Sequence, residues 1–367
     1  MKITRLELEN FRNIKDMTLS PGEGVNVIYG NNAQGKTNLL ESICLFSGFK
    51  SFRESKDSDM ISFGSDFIRN KLYFNGFGRD QKSEIIIGKE QKKILLNSVP
   101  LKSRSELIGN FNTVVFSPSY MSLIKGGPNE RRKFLDSAIC QIKPAFTSCL
   151  REYNKILKQR NQTLKDIYMA GTGEELLDIW DKKLIQKAEV IISERKKYLD
   201  KLSETAGDIH LGISSGKEEL KLIYSQKGDN GSEDKDDFFL NDKLIKSRFA
   251  DIKSGTTNFG PHRDDIDIII NSIEIKKFGS QGQQRSAALS MKLGESQIIY
   301  EMTGERPIAL LDDVMSELDM SRQDFIMNHL DKWQVFITCC DPKTVLKLTG
   351  GKAFEIENGK IISEKIY

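Results

Sequence analysis

Histidine and cysteine are scarce in this chain, with three and five among 367 residues. The cysteines (Cys44, Cys140, Cys149, Cys339, Cys340) are odd in number and fall in no Cys-x-x-Cys spacing, so neither a disulfide framework nor a zinc site is supported. Reduced cysteines in a cytosolic protein are the preferred reading. No apolar run approaches the length of a membrane span. Met1 to Glu7 is charged throughout without an apolar core, so no signal peptide is expected, and the expected location is cytoplasmic. Excess charge is missing too. A net +3 is too small to name nucleic acid as a partner, and any DNA surface must come from sorting basic residues onto one face. With 38% hydrophobic and 29% charged residues the chain is globular rather than disordered, and it is long enough for two or three domains.

What the chain does have is Val25 to Thr37, a short apolar strand followed by G-x-x-x-x-G-K-[ST] and a helix carrying Leu39, Leu40, Ile43 and Leu45. This is the context a phosphate-binding loop requires. Gly30 and Gly35 let the backbone N–H groups of Gly30, Asn31, Asn32, Ala33, Gln34 and Gly35 curl around a polyphosphate, and the helix start at Lys36, Thr37 and Asn38 adds its positive end. Lys36 reaches the β- and γ-phosphates and the Thr37 hydroxyl sits on Mg²⁺. The expected ligand is a nucleoside triphosphate.

The rest divides by pattern. Lys2 to Leu8 and Met17 to Leu19 read as strands, and Phe67 to Leu96 reads as an antiparallel meander broken by Asn75-Gly76 and Gly78-Arg79-Asp80. Asn112 to Phe116 is a strand stopped by Ser117-Pro118. From Glu130 to Leu202 apolar residues recur at three and four, with breaks at Lys143-Pro144 and Ala170 to Gly173. This predicts a helical lobe too broken for a long coiled coil. Gln226 to Asp237 lacks any apolar residue and predicts a mobile surface loop. Strand pattern returns at Asp265 to Ile275, then a helix from about Gln283 to Tyr300 and a strand Pro307 to Leu311. The division is 1–118 for the first part of an α/β head, 119–245 for the lobe and 246–367 for the rest of the head.

A second constellation lies late in the chain. Phe278-Gly279-Ser280-Gln281-Gly282-Gln283-Gln284-Arg285 opens a helix, Ile308 to Leu311 runs apolar into Asp312-Asp313, and Ser316-Glu317-Leu318-Asp319 follows. Alone, an acidic pair after four apolar residues is a common sheet terminus. In this order it fits a Walker B strand, with Asp312 holding Mg²⁺ and Asp313 polarising the attacking water.

That order resembles the ABC ATPase superfamily, in particular the SMC-like chromosome and repair ATPases. Ser280 to Gln284 resembles their signature motif and Ser316 to Asp319 their D-loop. The match narrows with Asn10-Phe11-Arg12-Asn13, Phe116-Ser117-Pro118, Gly126 to Asp136, Gly260-Pro261-His262-Arg263-Asp264-Asp265 and Ser280 to Arg285, which together resemble the RecF family over nearly the whole chain. The resemblance implies an ABC-type ATPase head with an inserted helical lobe, binding ATP and Mg²⁺. It implies a weak, DNA-dependent ATPase that dimerises on ATP and binds double-stranded DNA and single-/double-strand junctions at gaps or stalled forks. With RecO and RecR as partners it helps RecA load. By the same resemblance Arg12 approaches the nucleotide; Ser280, shaped by Gln281, Gly282 and Gln283 and supported by Arg285, touches the partner protomer's γ-phosphate; and Asp319 lies across the dimer interface. Thr338 falls where many ABC ATPases carry a switch histidine, and Phe116-Ser117-Pro118 stands at the glutamine-loop position without a glutamine. Asp313 replaces the more common glutamate, in keeping with slow turnover.

Other readings compete at several positions. Arg12 is alternatively a solvated turn residue. His262 to Asp265 has metal-ligand residue types, yet one histidine beside an arginine favours an interdomain hydrogen bond or salt bridge. Arg131-Arg132-Lys133 and the basic residues of 151–201 are either phosphate contacts or a solvated helical face. For the whole chain the alternatives are an SMC-like head serving a nuclease and a transporter's nucleotide-binding subunit. No further carboxylate cluster supports a two-metal nuclease site.

Overall fold

Apolar runs that end at glycine or carboxylate become central parallel strands here, whereas alternating segments become antiparallel ones. A computed structural model describes residues 1–53, 55–88, 91–227, 239–342 and 351–367. In chain order the elements begin β1 (Lys2–Phe11), β2 (Ile14–Leu19), β3 (Val25–Tyr29), α1 (Lys36–Cys44), β4 (Phe67–Gly76), β5 (Arg79–Gly88), β6 (Lys92–Leu96), β7 (Val99–Leu101) and β8 (Thr113–Phe116). There follow α2 (Ser122–Lys125), α3 (Pro128–Ile142), α4 (Pro144–Ala170), α5 (Glu175–Ile213), β9 (Leu220–Ser225), α6 (Phe239–Ser254), β10 (Asp265–Ile270), β11 (Ile273–Glu274) and α7 (Ile275–Phe278). The chain continues with α8 (Gln281–Thr303), β12 (Ile308–Asp312), α9 (Met320–His329), β13 (Val335–Cys339), β14 (Lys352–Glu357) and β15 (Lys360–Ile366).

Two compact units result, residues 1–120 with 288–367, and residues 121–287. The first is the α/β head, with two six-stranded sheets. One is antiparallel, in the order β2-β1-β4-β5-β6-β7, and contains the expected meander. The other runs β15-β14-β3-β13-β12-β8, parallel except for β15. β12 and β13 are buried at every residue, which is why Ile308 to Asp312 and Val335 to Cys339 show no alternation. One core takes Leu6, Leu8 and Phe74 from the first sheet, Leu39, Leu40 and Ile43 from α1, and Leu310 and Phe336 from the second. In β1, Ile3 and Leu6 are both buried although three apart, because a bulge between Ile3 and Arg5 shifts the register.

In the second unit, α3 and α4 each begin on a proline at the first helical turn, and α4 ends on Gly171 in the left-handed region at φ 71°. The lobe is less broken than the sequence suggests, since α5 runs 39 residues without interruption and pairs with the 27 residues of α4. The boundary also differs. The sequence division returns to the head at 246, but the lobe runs to Ala287, because β10 pairs with β9 and packs on α3 while α6 packs on α4 and α5. From residue 228 on, the expected surface loop lies outside the described residues.

Candidate nucleotide site

β3 delivers the loop from the middle of the parallel sheet, and α1 leaves from its far end. Gly30 has φ 144° and Gly35 φ 112°, a region side chains avoid. A Cβ on Gly30 would collide with the Ile356 carbonyl, and one on Gly35 would lie 2.7 Å from Asn13 Oδ1. Asn13 is the splint of this loop, donating to the Gln34 carbonyl (3.0 Å) and accepting from Asn38 Nδ2 (2.8 Å). The β14–β15 turn adds two bonds, from the Gly359 and Asn358 amides to Gln34 O and Oε1. No side chain caps α1 at Gly35, so its first N–H groups are available to an anion. The Lys36 ammonium rests on the loop's own carbonyls, 2.6 Å from Gly30 O and 3.0 Å from Asn31 O.

The sheet register then brings the acidic strand alongside. Asp312 pairs with Thr338 across β12–β13, and β13 pairs with β3. Asp312 Oδ1 accepts from Thr37 Oγ1 at 2.8 Å and Thr338 Oγ1 at 2.9 Å. Burial pushes the Asp312 carboxyl above its ordinary value, aided by Asp313 and opposed by the two hydroxyl bonds. Asp313 adopts φ 53°, left-handed for a non-glycine residue, with its amide on Thr338 Oγ1 (2.9 Å). Asn13, Lys36, Thr37, Asn38, Arg53 and Asp313 line a cavity of about 370 Å³, together with Asn32, Ala33 and Gly35. A hydroxyl beside a carboxylate is a hard-oxygen donor pair, and cationic Lys36 and Arg53 face the same space, so the residues fit a magnesium polyphosphate.

Arg12 is not a solvated turn residue. Its guanidinium forks onto the fully buried carboxylate of Glu41 in α1, at 2.6 Å from Nε and 2.7 Å from Nη2. The signature segment is equally definite. Ser280 Oγ accepts from the Gln283 amide (3.2 Å) and Gln283 Oε1 from the Ser280 amide (2.9 Å), a reciprocal cap on α8. Gln283 Nε2 also donates to Glu218 at 3.0 Å. Ser280 and Gln281 are exposed while Gly282 and Gln283 are partly covered, so the helix start presents its serine outward.

The family model of the RecF/RecN/SMC N terminal domain matches residues 2–359. The DNA replication and repair protein RecF of Clostridioides difficile (strain 630) is 40% identical, covering 99% of this chain and 98% of its own. The chain belongs to the RecF family. A solved structure of the recombination mediator protein RecF with ATPrS in the RecFOR pathway superposes with a TM-score of 0.91 at 40% identity, covering 98% of this chain and 97% of the other. An Smc head bound to the C-winged helix domain of ScpA shares the fold at a TM-score of 0.56 and 17% identity, over 100% and 97% of the two chains.

Several RecF-family motifs take places that sequence alone did not give. Asp319 is the N-cap of α9, accepting from the Arg322 amide (3.0 Å) and Ser321 Oγ (2.7 Å), which holds its carboxyl down at about 2. Thr338 is fully buried against Asp312 instead of facing the loop. Just past the end of β13, Cys340 reaches the loop, where its thiol donates to Asn32 Oδ1 (3.2 Å) and lies 3.8 Å from Lys36 Nζ. Among the described residues, the Gly260 to Asp265 motif is a hydrogen-bonding hub inside the lobe. Asp265 takes a bidentate Arg131, the Asp264 carbonyl accepts from Arg132 (2.6 Å), and Asp264 Oδ2 accepts from Tyr224 (2.8 Å). Arg131 and Arg132 are therefore held internally and do not form an open phosphate surface. Tyr153 pairs with His262 Nδ1 (2.6 Å), and burial, reinforced by neighbouring arginines, lowers the His262 pKa to about 4. Asn13, Glu41, Arg53 and Cys340 were missed as site residues. Only Asn13 carried a signal, as part of Asn10 to Asn13.

Proposed function

We propose that this chain is an ATP-dependent recombination mediator that closes into a head-to-head dimer around two ATP molecules, grips duplex DNA or single-/double-strand junctions, and works with RecR and RecO to load RecA. The observation that carries the reading is the 2.8 Å contact of Thr37 with Asp312, which joins two phosphate-handling motifs 275 residues apart beside the Lys36 ammonium. Thr37 and Asp312 would hold Mg²⁺, which supplies charge neutralisation at the β- and γ-phosphates. Lys36 exchanges the Gly30 and Asn31 carbonyls for phosphate oxygens, so the site opens without moving the backbone. Asp313 accepts the proton of the attacking water, and as the shorter carboxylate it does so slowly. Ser280, at the capped start of α8, contributes a hydroxyl and the helix's positive end to the nucleotide held by the other protomer. Arg12 and Asp319 act at the nucleotide and across the dimer.

Sedimentation velocity tests this in the absence of nucleotide, with ADP–Mg²⁺ and with ATP–Mg²⁺, for the wild type and Ser280→Arg. Dimerisation in ATP alone, lost in Ser280→Arg, is the expected result. A wild type that stays monomeric with ATP and DNA together would remove the dimer from the reading.

A further inference from the structure

Glu41 is on α1 one turn past Thr37, on the same face, and its side chain is wholly removed from solvent. A buried carboxylate is tolerable only when its oxygens are satisfied. Here Oε1 accepts from Arg12 Nη2 and from the Ser51 hydroxyl, and Oε2 accepts from Arg12 Nε, with Arg53 Nη1 at 3.8 Å. Ser51 in turn accepts the Arg53 amide (3.0 Å), while Arg53 Nη1 donates to Asn38 in the pocket wall (2.9 Å). The remaining Arg12 bonds go to Ser55 Oγ (2.6 Å) and the Asp59 carbonyl (3.2 Å). The anion is thus sealed, whereas both cations are partly open, with 17% of the Arg12 and 45% of the Arg53 side chain exposed.

A bidentate fork fixes the plane of a guanidinium as well as its position. Arg12 comes from the β1–β2 turn with its backbone at φ 52°, and Arg53 from the segment after α1, so neither has a helix or strand to aim it. Their common support is one carboxylate. We propose that Glu41 is a positioning residue of the nucleotide site, a buried anion that aims Arg12 and Arg53 together so that preference for a triphosphate over a diphosphate depends on a side chain that never touches the nucleotide. This rests on the ATP-binding reading above.

The test measures Kd for ATPγS–Mg²⁺ and ADP–Mg²⁺ by calorimetry on the full chain, for wild type, Glu41→Gln, Arg12→Ala, the double variant and Arg12→Lys, with Tm recorded for each. Glu41→Gln keeps the shape and removes the charge. It is expected to weaken ATPγS about tenfold and ADP less than threefold, with the double variant no weaker than Arg12→Ala alone. Arg12→Lys keeps the charge and loses the fork, and is expected to lose the same selectivity. Because Arg12 is partly exposed, this variant reports even if Glu41→Gln fails to fold. Losses that add in the double variant, equal weakening of both nucleotides, or wild-type selectivity in Arg12→Lys would overturn the proposal. A wild type that binds neither nucleotide would instead overturn the ATP-binding reading.

Discussion

Two arginine–carboxylate clusters use the same bonds to opposite ends. At the loop, Glu41 is sealed while Arg12 and Arg53 stay partly exposed, and Arg53 lines the cavity. In the lobe, Arg160 is the sealed group, fully buried between Asp181 (2.6 Å) and Asp251 (2.8 Å) and bonded to Thr257 (2.8 Å). Arg248 extends that knot to Asp178 and Asp181, so α4, α5 and α6 are tied through one guanidinium. Where the central cation is enclosed between its carboxylates, the cluster works as scaffold. Where the anion alone is enclosed, the cations are held out for something else. The element to examine in such a network is therefore which partner reaches solvent, not how many bonds it makes.

The comparison is broken most directly at Arg160. Arg160→Ala leaves Asp251 buried without its cation and Asp181 with Arg248 alone, and is expected to destabilise the lobe by about 3–5 kcal/mol, read by urea unfolding, while ATPγS affinity measured below the transition stays within twofold. A tenfold loss of affinity at unchanged stability would erase the distinction between the clusters. A smaller effect follows from His262. The folded lobe keeps this imidazole neutral to about pH 4, whereas the unfolded chain protonates it near 6.5, so its contribution is complete above pH 6.5 and falls away between 6.5 and 4. Wild type is expected to lose about 3 kcal/mol more than His262→Gln over that window, measured by urea unfolding at each pH. The finest test is chemical. Exposed Cys340 is expected to react with N-ethylmaleimide first and to be protected by ATPγS, as mapped by mass spectrometry. Burial holds the thiols of Cys44 and Cys140 up at about 11 and that of Cys339 at about 12, so these should stay unlabelled in the folded chain. Labelling of Cys340 that ATPγS does not slow would separate this thiol from the nucleotide cavity.

Much of the head was legible because its signals are local. Val25 to Thr37 combines an apolar strand, two glycines in fixed positions and a helix start, and each constrains its neighbours along the chain. Ile308 to Asp313 carries an equally compact pattern. The residues that were not legible act through partners distant in sequence: Glu41 with Arg12, Asn13 with Gln34, and Cys340 with Asn32. Nothing near Glu41 distinguishes it from any glutamate on an amphipathic helix. Arg131 and Arg132 looked like a basic patch because the sequence cannot show Asp264 and Asp265 lying against them. The lobe boundary was misjudged for a related reason. Asp265 to Ile270 has the alternation of any half-buried strand, and only its pairing with β9 assigns it to the lobe.

The strand feeding the phosphate loop is hydrogen-bonded on one side to β13 and on the other to β14, and the loop itself is pinned by Asn358 and Gly359. A ribosome making this chain therefore emits the loop about 320 residues before the strands that shape it. At roughly 5–20 residues per second, about 15–60 s pass with Gly30 to Thr37 outside the tunnel and no sheet to hold it. During that interval the nascent protein has no competent nucleotide site. ATP can act as a ligand of the folded head only after β13 and β14 have been made.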